Sequence, residues 1–142
     1  MQIIPVASLP YVQFGQDPPR QIRLVASPWT TGSAMVIVHC TLPPGGVSDE
    51  HAHPDADEYI HFDIAGACAV DGVVHPVQAG EVILVRRGER HEARNLSPDQ
   101  VLTLYCVFSP AFQPYGGYPE LIARTRAYLA EQAASLEQED RR

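Results

Sequence analysis

Residues 45–58 have the sequence GGVSDEHAHPDADE, in which two histidines and a glutamate follow a glycine turn. Side chains two positions apart on a strand point to the same face, so His51 and His53 can direct both imidazoles to one point. Glu58 begins the next strand-like run and shares its face with the apolar side chains that follow at every second position. An unpaired carboxylate on that inward face is costly, and either a metal ion or protonation would remove the cost. Imidazole and carboxylate together suit a divalent metal ion of borderline softness.

A second stretch, residues 80–95, has the sequence GEVILVRRGERHEARN and offers a further imidazole. His91 follows a glycine turn and opens a strand-like run, which makes it the fourth candidate ligand. Asp57 is the alternative to Glu58 as the carboxylate ligand, but the phase of that strand directs Asp57 outward.

Both stretches resemble the two motifs of the cupin superfamily. The matching residues are Gly45, His51, His53 and Glu58 in the first motif, and Gly80, Gly88, His91 and Asn95 in the second. Two departures are visible: Gly66 stands one residue later than the closing glycine of the first motif, and Arg86 replaces the usual proline of the second. The late glycine predicts a bulge or a longer strand after Glu58.

The resemblance implies an all-β fold, the cupin double-stranded β-helix or jelly-roll barrel. It also implies one divalent metal ion per subunit (Fe, Mn, Ni or Zn), held by His51, His53, Glu58 and His91.

The rest of the chain fits this fold, because many short strand-like runs alternate with Pro- and Gly-containing turns. The runs cover residues 22–27, 33–42, 57–65, 67–71, 73–77, 81–86, 91–95 and 100–108. Asp71-Gly72 between two β-branched runs predicts a two-residue hairpin. We therefore divide the chain into an N-terminal arm (1–20), a β-barrel (21–113) and a C-terminal helix (114–142). The arm is expected to carry a short strand at Val6 or around residues 11–14.

The C-terminal segment predicts one amphipathic helix from Pro119 to about residue 137. Proline suits the first helical turn, and larger side chains recur every three or four positions at Leu121, Ile122, Thr125, Tyr128, Leu129, Gln132 and Leu136. We expect this helix to pack on the outside of the barrel.

The residues that share the inward face with the ligands are the predicted pocket walls. They are Ile60, Phe62 and Ile64, with Met35, Leu84, Ala93 and Tyr105. This lining predicts a small, largely apolar or aromatic substrate with one or two chelating oxygens.

Three imidazoles and one carboxylate leave positions open on a six-coordinate ion, and two kinds of chemistry can use them. The ligand set is similar to that of cupin dioxygenases, which favours an Fe(II)-type dioxygenase that binds substrate and O₂ together. The alternative is a non-redox isomerase, lyase or polyketide-type cyclase, in which the metal acts as a Lewis acid. Glu58 is the candidate catalytic base in either case. A third hypothesis is a metal- or ligand-binding module without catalysis.

Other groups near the ligand stretches have less specific interpretations. Glu50 and Tyr59 flank the ligands and are either solvated or acid–base groups, and His61 is expected on the outer face. The basic cluster of Arg86, Arg87 and Arg90 is either a solvated strand end or a clamp for an anionic substrate.

Composition excludes several classes of protein. The net charge of −7 argues against nucleic-acid binding, which needs clustered Lys and Arg. No apolar run is long enough to span a membrane. Cys40, Cys68 and Cys106 each lie in an apolar run without metal-site spacing, which predicts buried thiols and a cytoplasmic protein.

Residues 101–108 form a strand-like run in which both faces carry apolar or aromatic side chains, with Thr103 as the exception. A strand that is apolar on both faces suits a subunit interface as well as a core. We therefore expect a homodimer.

Overall fold

The structure is a computed structural model that describes residues 1–15 and 17–142. Over these residues the chain forms one short 3₁₀ helix (Val6–Ser8), nine strands and one α-helix. The strands are β1 (Val12–Phe14), β2 (Arg20–Ala26), β3 (Val36–Leu42), β4 (Asp57–Phe62), β5 (Gly66–Val70), β6 (Val73–Val77), β7 (Val82–Val85), β8 (His91–Arg94) and β9 (Leu102–Ser109), and the helix is α1 (Tyr118–Asp140).

The described strands form two antiparallel sheets. The larger sheet has the order β1-β2-β3-β9-β4-β7, and the smaller has the order β6-β5-β8. Because β9 pairs between β3 and β4, and β8 pairs with β5, the connections cross between the sheets as in a jelly roll. The predicted all-β jelly roll with a C-terminal helix is confirmed.

A single apolar cluster fills the space between the two sheets, and alternating side chains build it. In β3 the inward residues Val36, Val38, Cys40 and Leu42 are buried, while the residues between them are only partly covered. All three cysteines are buried and free, as the sequence predicts.

The strand β4 has the predicted phase, with Glu58 and the apolar residues after it facing inward. The predicted bulge or longer strand after Glu58 is not found, because the pairing of β4 with β9 is regular from Asp57 to Phe62 and β4 ends at Phe62. The extra residue of the first motif instead lies in the bend at residues 63–65, before β5. Gly66 ends this bend, where a Cβ atom would come within 2.7 Å of the carbonyl oxygen of Arg94. The bend therefore requires glycine one residue later than usual.

The hairpin between β5 and β6 has the predicted two-residue turn. Asp71 and Gly72 have φ values of 49° and 81°, and Val70 pairs with Val73 across them. Two positive φ values define the turn type that matches the twist of paired strands.

Both termini differ from expectation in part. The short strand of the N-terminal arm is β1, which pairs with β2, whereas Val6 lies in the 3₁₀ helix. The expected packing of the C-terminal helix holds only for its beginning, since its buried residues are Tyr118, Leu121 and Thr125. Further along the helix, Leu136 is exposed. The second half of the helix and residues 1–5 together line a groove of about 600 Å³. None of the described helices is long and apolar enough to cross a membrane.

We expect Asn95→Ala to destabilise the protein by about 2–4 kcal/mol, because Asn95 is buried and joins the loop after β3 to the loop between β8 and β9. Its Nδ2 donates to the carbonyl oxygens of Leu42, Pro43 and Gln100, at 2.8–3.0 Å, and its Oδ1 accepts from the backbone N–H of Ser97. Chemical denaturation measures the change. Ser97→Ala is the comparison within the same loop, because it removes a half-buried hydroxyl that accepts from the backbone N–H of Gln100 at 2.9 Å. A loss for Asn95→Ala no larger than the loss for Ser97→Ala would contradict the expectation.

Candidate metal centre

The four residues selected from the sequence come together inside the barrel. One ligand atom from each of His51, His53, Glu58 and His91 lies within 4.8 Å of the others. His51 and His91 face each other across a two-residue bridge, in which each backbone N–H donates to the other's carbonyl oxygen at 3.0 and 2.8 Å. This bridge fixes the two motifs relative to each other, although they are 40 positions apart in the chain.

Backbone carbonyls set the orientation of two of the imidazoles. Nδ1 of His51 contacts the carbonyl oxygen of Asp49, and Nδ1 of His91 contacts that of Glu89 at 2.9 Å. A carbonyl only accepts, so each Nδ1 carries a proton, and Nε2 of each imidazole faces the site, where it offers a lone pair once the ring is neutral. Metal-binding imidazoles are commonly oriented by such contacts.

The spacing of the donor atoms fits a cation. Nε2 of His91 lies 2.8 Å from Oε2 of Glu58, and two lone pairs at that distance need a proton or a cation between them. Nε2 of His53 lies 3.1 Å from the same oxygen but is buried without a hydrogen-bond partner. Ligand bonds of about 2.0–2.1 Å place two donors on one ion up to about 4.2 Å apart, so shifts of a few tenths of an ångström suffice. The residues present therefore fit a divalent ion.

The surroundings of the site lower the pKa of Glu58 and shift the pKa values of His51 and His91 in opposite directions. Burial acts to raise the pKa of Glu58, but the neighbouring imidazoles of His53 and His91 outweigh it and lower that pKa to about 2. Burial lowers the pKa of His51 to about 4. Burial also acts to lower the pKa of His91, but the hydrogen bond and charge of Glu58 raise it above its usual value of 6.5. Near neutral pH, His51 is thus ready to bind a cation, whereas His91 must first release a proton.

We expect metal affinity to increase with pH, because an ion must displace the proton of His91. The pKa of His91 is raised, so protonated His91 persists above pH 6.5, and each unit below that pKa lowers the affinity about tenfold. Calorimetry in two buffers of different ionisation enthalpy, at pH values from about 6 to 8, measures the affinity and the protons released. An affinity that is flat over this range would contradict the assignment of the proton to His91.

Three of the four ligands, His51, Glu58 and His91, line a small cavity of about 30 Å³, a volume that could accommodate about one or two water molecules. Its lining comprises Arg20, Ile22, Val38, Cys40, Ser48, His51, Glu58, Ile60, His91, Ala93, Leu104, Cys106, Phe108 and Tyr118. Apart from the ligands, most of these side chains are apolar or thiols. The arrangement can therefore hold a cation at the edge of a small and mostly apolar space.

Comparison with known families agrees with this geometry. The model of the family described as "Cupin domain" matches residues 38–108, which is half of the chain and includes all four ligands. This chain belongs to the cupin family. A curated relative, Protein SchB from Streptomyces halstedii, is 32% identical over 92 residues, covering 59% of this chain and 66% of SchB.

Solved structures show the same cupin fold. A predicted oxalate decarboxylase from Thermotoga maritima superimposes with a TM-score of 0.65 at 18% identity, covering 75% of this chain and 97% of that one. KdgF from Halomonas sp. has a TM-score of 0.63 at 20% identity, with coverage of 78% and 94%. A cupin 2 conserved barrel domain protein from Salinispora arenicola has a TM-score of 0.55 at 24% identity, with coverage of 63% and 74%.

Only some of the predicted pocket walls of this cupin reach the cavity. Ile60 and Ala93 line it. Phe62 is completely buried in the core but does not line the cavity, and Ile64 borders a different surface pocket beside Gly66 and Val77.

The other predicted walls are wrong, because Met35, Leu84 and Tyr105 are exposed on the outer face of the larger sheet. In β9 the inward positions belong to Leu104 and Cys106, so Tyr105 points outward and packs edge-on against His39. In β7 the buried residue is Val85, which places Leu84 outside. Met35 precedes the first inward residue of β3 by one position.

The groups that flank the ligand stretches lie at the surface. Asp57, as predicted, faces away from the ligands, and it pairs with Arg86 and Arg87 at the end of β4. Glu50 pairs with Arg90 at 3.0 Å, with both side chains exposed. Each arginine of the basic cluster thus faces a carboxylate of the chain.

Tyr59 and His61 point outward from β4, opposite to Glu58. Outward orientation separates both side chains from the cupin cavity. They are therefore not placed to transfer protons there.

Aromatic residues that the sequence analysis did not select surround His53. Its ring centroid lies 4.8 Å from that of Phe108 and 6.0 Å from that of Phe112. Phe112 and Tyr115 also line an outer groove of about 300 Å³ that reaches His51 and His53. The signal that could have identified them is an aromatic residue in the segment directly after the last barrel strand.

Arg20 and Ser48 also line the cavity and were missed. Ser48 lies within the first motif, where its Oγ accepts from the backbone N–H of Ala93 at 2.8 Å. Arg20 could have been found by extending the alternation of Ile22 and Leu24 one step toward the N-terminus.

Proposed function

We propose that this cupin is a metal-dependent enzyme that acts on a small organic metabolite, and that an Fe(II)-type dioxygenase is the best-supported activity. The observation that carries the proposal is the placement of the donor set. Three imidazoles and one carboxylate meet between a small, mostly apolar cavity lined by His51, Glu58 and His91 and an outer groove lined by His51 and His53. Such a set leaves coordination positions open toward the cavity.

When bound, a redox-active divalent ion would supply the positions at which an organic substrate and O₂ react. The chain's own residues supply orientation and exclusion of water. The carbonyls of Asp49 and Glu89 hold the imidazoles of His51 and His91 in place. The apolar walls, including Ile60 and Phe108, limit the entry of water, which protects a reactive intermediate from side reactions.

The composition of the cavity wall favours oxygenation over proton transfer. Among the described residues, the wall has no carboxylate or imidazole beyond the ligands themselves. Burial raises the pKa of Cys40 to about 12 and that of Cys106 well above its usual range, so both thiols stay protonated near neutral pH. A site with few groups for proton transfer suits a reaction in which the metal and O₂ do the chemistry.

The test is oxygen consumption by Fe(II)-loaded protein over a panel of chelating phenols and keto acids. Substrate-dependent O₂ uptake supports the dioxygenase, with Glu58→Gln as the inactive variant. His61→Ala is the matched control, because His61 lies on the same strand but faces outward. Absence of O₂ uptake across the panel, with iron bound, would contradict oxygenation.

A second candidate is non-redox Lewis-acid chemistry, such as isomerisation, lysis or cyclisation. It is supported by the contact of Glu58 with His91 at 2.8 Å, which can hold and release a proton beside the cavity. Turnover of the same panel without O₂, with Zn or Mn bound, would favour this candidate. Tight ligand binding without turnover under either condition would favour a non-catalytic module.

We also propose a homodimer formed through the outer face of the larger sheet. Exposed apolar side chains are concentrated at or beside β3, β4, β7 and β9 of that sheet: Met35, Tyr59, Val82, Leu84, Val101 and Tyr105. Tyr59 and Leu84 are direct partners across β4 and β7, and exposed apolar side chains grouped on one face are typical of association surfaces.

We expect light scattering to give twice the monomer mass, and Tyr105→Glu to shift the protein toward monomer. Val73→Glu is the control, because Val73 is also exposed but belongs to the smaller sheet. A monomeric mass for the unmodified protein would refute the dimer.

A further inference from the structure

The side chain of Arg20 enters the same cavity as the candidate metal ligands. Arg20 begins β2, and Ile22 and Leu24 are buried at the next alternate positions, so the three side chains share the inward face. Arg20 lines the cavity together with Glu58 and His91. An arginine at an inward position of a barrel strand is uncommon, because its charge is costly to bury without a partner.

The guanidinium has few partners within the described part of the chain. Nε of Arg20 is buried and has no hydrogen-bond partner there. The ion pairs found among residues 1–15 and 17–142 do not include Arg20. Its Cζ lies 5.8 Å from the centroid of the Phe14 ring, which holds the group in place without satisfying its N–H donors. A buried N–H donor is therefore available to a ligand.

The charges around the cavity leave an excess that an anion would balance. A divalent ion would bring two positive charges against the single carboxylate of Glu58, and Arg20 adds a third. Among the described residues that line the cavity, Arg20 is the only charged side chain apart from the candidate ligands. In a low-dielectric cavity, unbalanced positive charge favours binding of a negative group.

We propose that Arg20 binds the anionic oxygen of the substrate, a carboxylate or an enolate, while another oxygen of the same molecule reaches the metal site. Guanidinium is suited to this role, because its planar set of donors matches two oxygens of one carboxylate. This inference rests on the proposed metal-dependent function and narrows its substrate class to small organic anions with a chelating oxygen. Arg20 is then a substrate-binding residue that selects against neutral molecules of the same shape.

The test compares two probes that share one heavy-atom skeleton, glycolate and its neutral amide, glycolamide. Each offers the same hydroxyl and carbonyl oxygens, and only glycolate is an anion. Binding to Co(II)-loaded protein is followed by the visible absorption of the cobalt, so the measurement does not depend on turnover. Metal content is measured for every variant.

We expect glycolate to bind the unmodified protein more tightly than glycolamide. Arg20→Gln is expected to weaken glycolate binding by about 10- to 100-fold, the usual range for a lost hydrogen bond to a charged group. Arg20→Met removes the same charge, has the same expectation and serves as the second variant if Arg20→Gln folds poorly. Glycolamide binding should change little in both.

The matched control is Arg23→Gln, which removes an equal charge from the same strand. The guanidinium of Arg23 donates to the carbonyl oxygen of Leu9 and lies over the ring of Tyr11, away from the cavity. We expect this variant to keep the preference for glycolate. A general effect of charge would instead weaken glycolate binding in both Arg20→Gln and Arg23→Gln, and would overturn the assignment.

The remaining outcomes separate the two proposals. If the variants hold one ion per chain and keep the full preference for glycolate, or if the unmodified protein has no such preference, Arg20 is not the anion-binding residue and the metal centre still stands. If the unmodified protein binds no divalent ion, the proposed function fails, and this inference fails with it.

Discussion

His91→Ala is expected to weaken the binding of a divalent ion by more than about 100-fold. Loss of groups that merely orient metal ligands already costs about 10- to 100-fold, and His91 both offers Nε2 and contacts Glu58 at 2.8 Å. Its backbone bridge to His51 uses N–H and carbonyl groups, so the substitution removes the ligand while the bridge can persist. Competition with a chromophoric chelator, together with metal analysis, measures the change.

The control for this experiment is His61→Ala, which removes an imidazole from the outer face of β4. It should bind the ion as tightly as the unmodified protein. Equal losses in both variants would mean that general destabilisation, and not loss of a ligand, explains the result. Unchanged affinity in His91→Ala would contradict the metal centre itself.

The ligand group could be predicted because its signals are local and do not depend on the packing of distant strands. His51 and His53 are two positions apart, and the strand of Glu58 alternates clearly between apolar and polar side chains. The structure brings these residues together with His91 by pairing the two motifs. The hairpin at Asp71-Gly72 was predictable for the same reason, since the turn is determined by its own two residues.

The pocket walls could not be predicted from alternation, because two of the strands are apolar on both faces. In β7 every residue is apolar, so the pattern does not distinguish the inward Val85 from the outward Leu84. The same ambiguity in β9 led to the wrong placement of Tyr105. An outer face that is itself apolar hides the phase of the strand, and that outer face is the one we propose as the dimer interface.

Arg20 was missed for a different reason, which concerns where a strand begins. The predicted run started at Ile22, since arginine resembles a solvated residue before a strand, whereas β2 begins at Arg20. Charged residues at strand ends are usually solvated, so composition alone favours the wrong interpretation. Only the three-dimensional position identifies this arginine as unusual: it lines the cavity, and its buried Nε has no hydrogen-bond partner among the residues that the structure describes.

Phe62→Ala is expected to destabilise the protein by about 3–5 kcal/mol, the usual cost of replacing a fully buried phenylalanine. Phe62 has no exposed surface. Its ring packs against the backbone at Gly66, so closely that a Cβ atom added there would lie 3.2 Å from Cε2 of Phe62. Removal of the ring leaves a void that the tight bend cannot fill by moving inward. Chemical denaturation of metal-free protein measures the loss, and Phe62→Leu, which keeps most of the volume, is expected to cost less.

The same variant distinguishes a core residue from a wall of the functional cavity. Phe62 does not line the cavity beside the ligands, whereas Ile60, two positions earlier on β4, does. At a temperature where both variants are folded, Phe62→Ala should therefore keep its affinity for the divalent ion and for glycolate, while Ile60→Ala enlarges the cavity and changes probe binding. A large loss of probe affinity in Phe62→Ala, with stability little changed, would place Phe62 in the binding site and return it to the role that the sequence alone assigned to it.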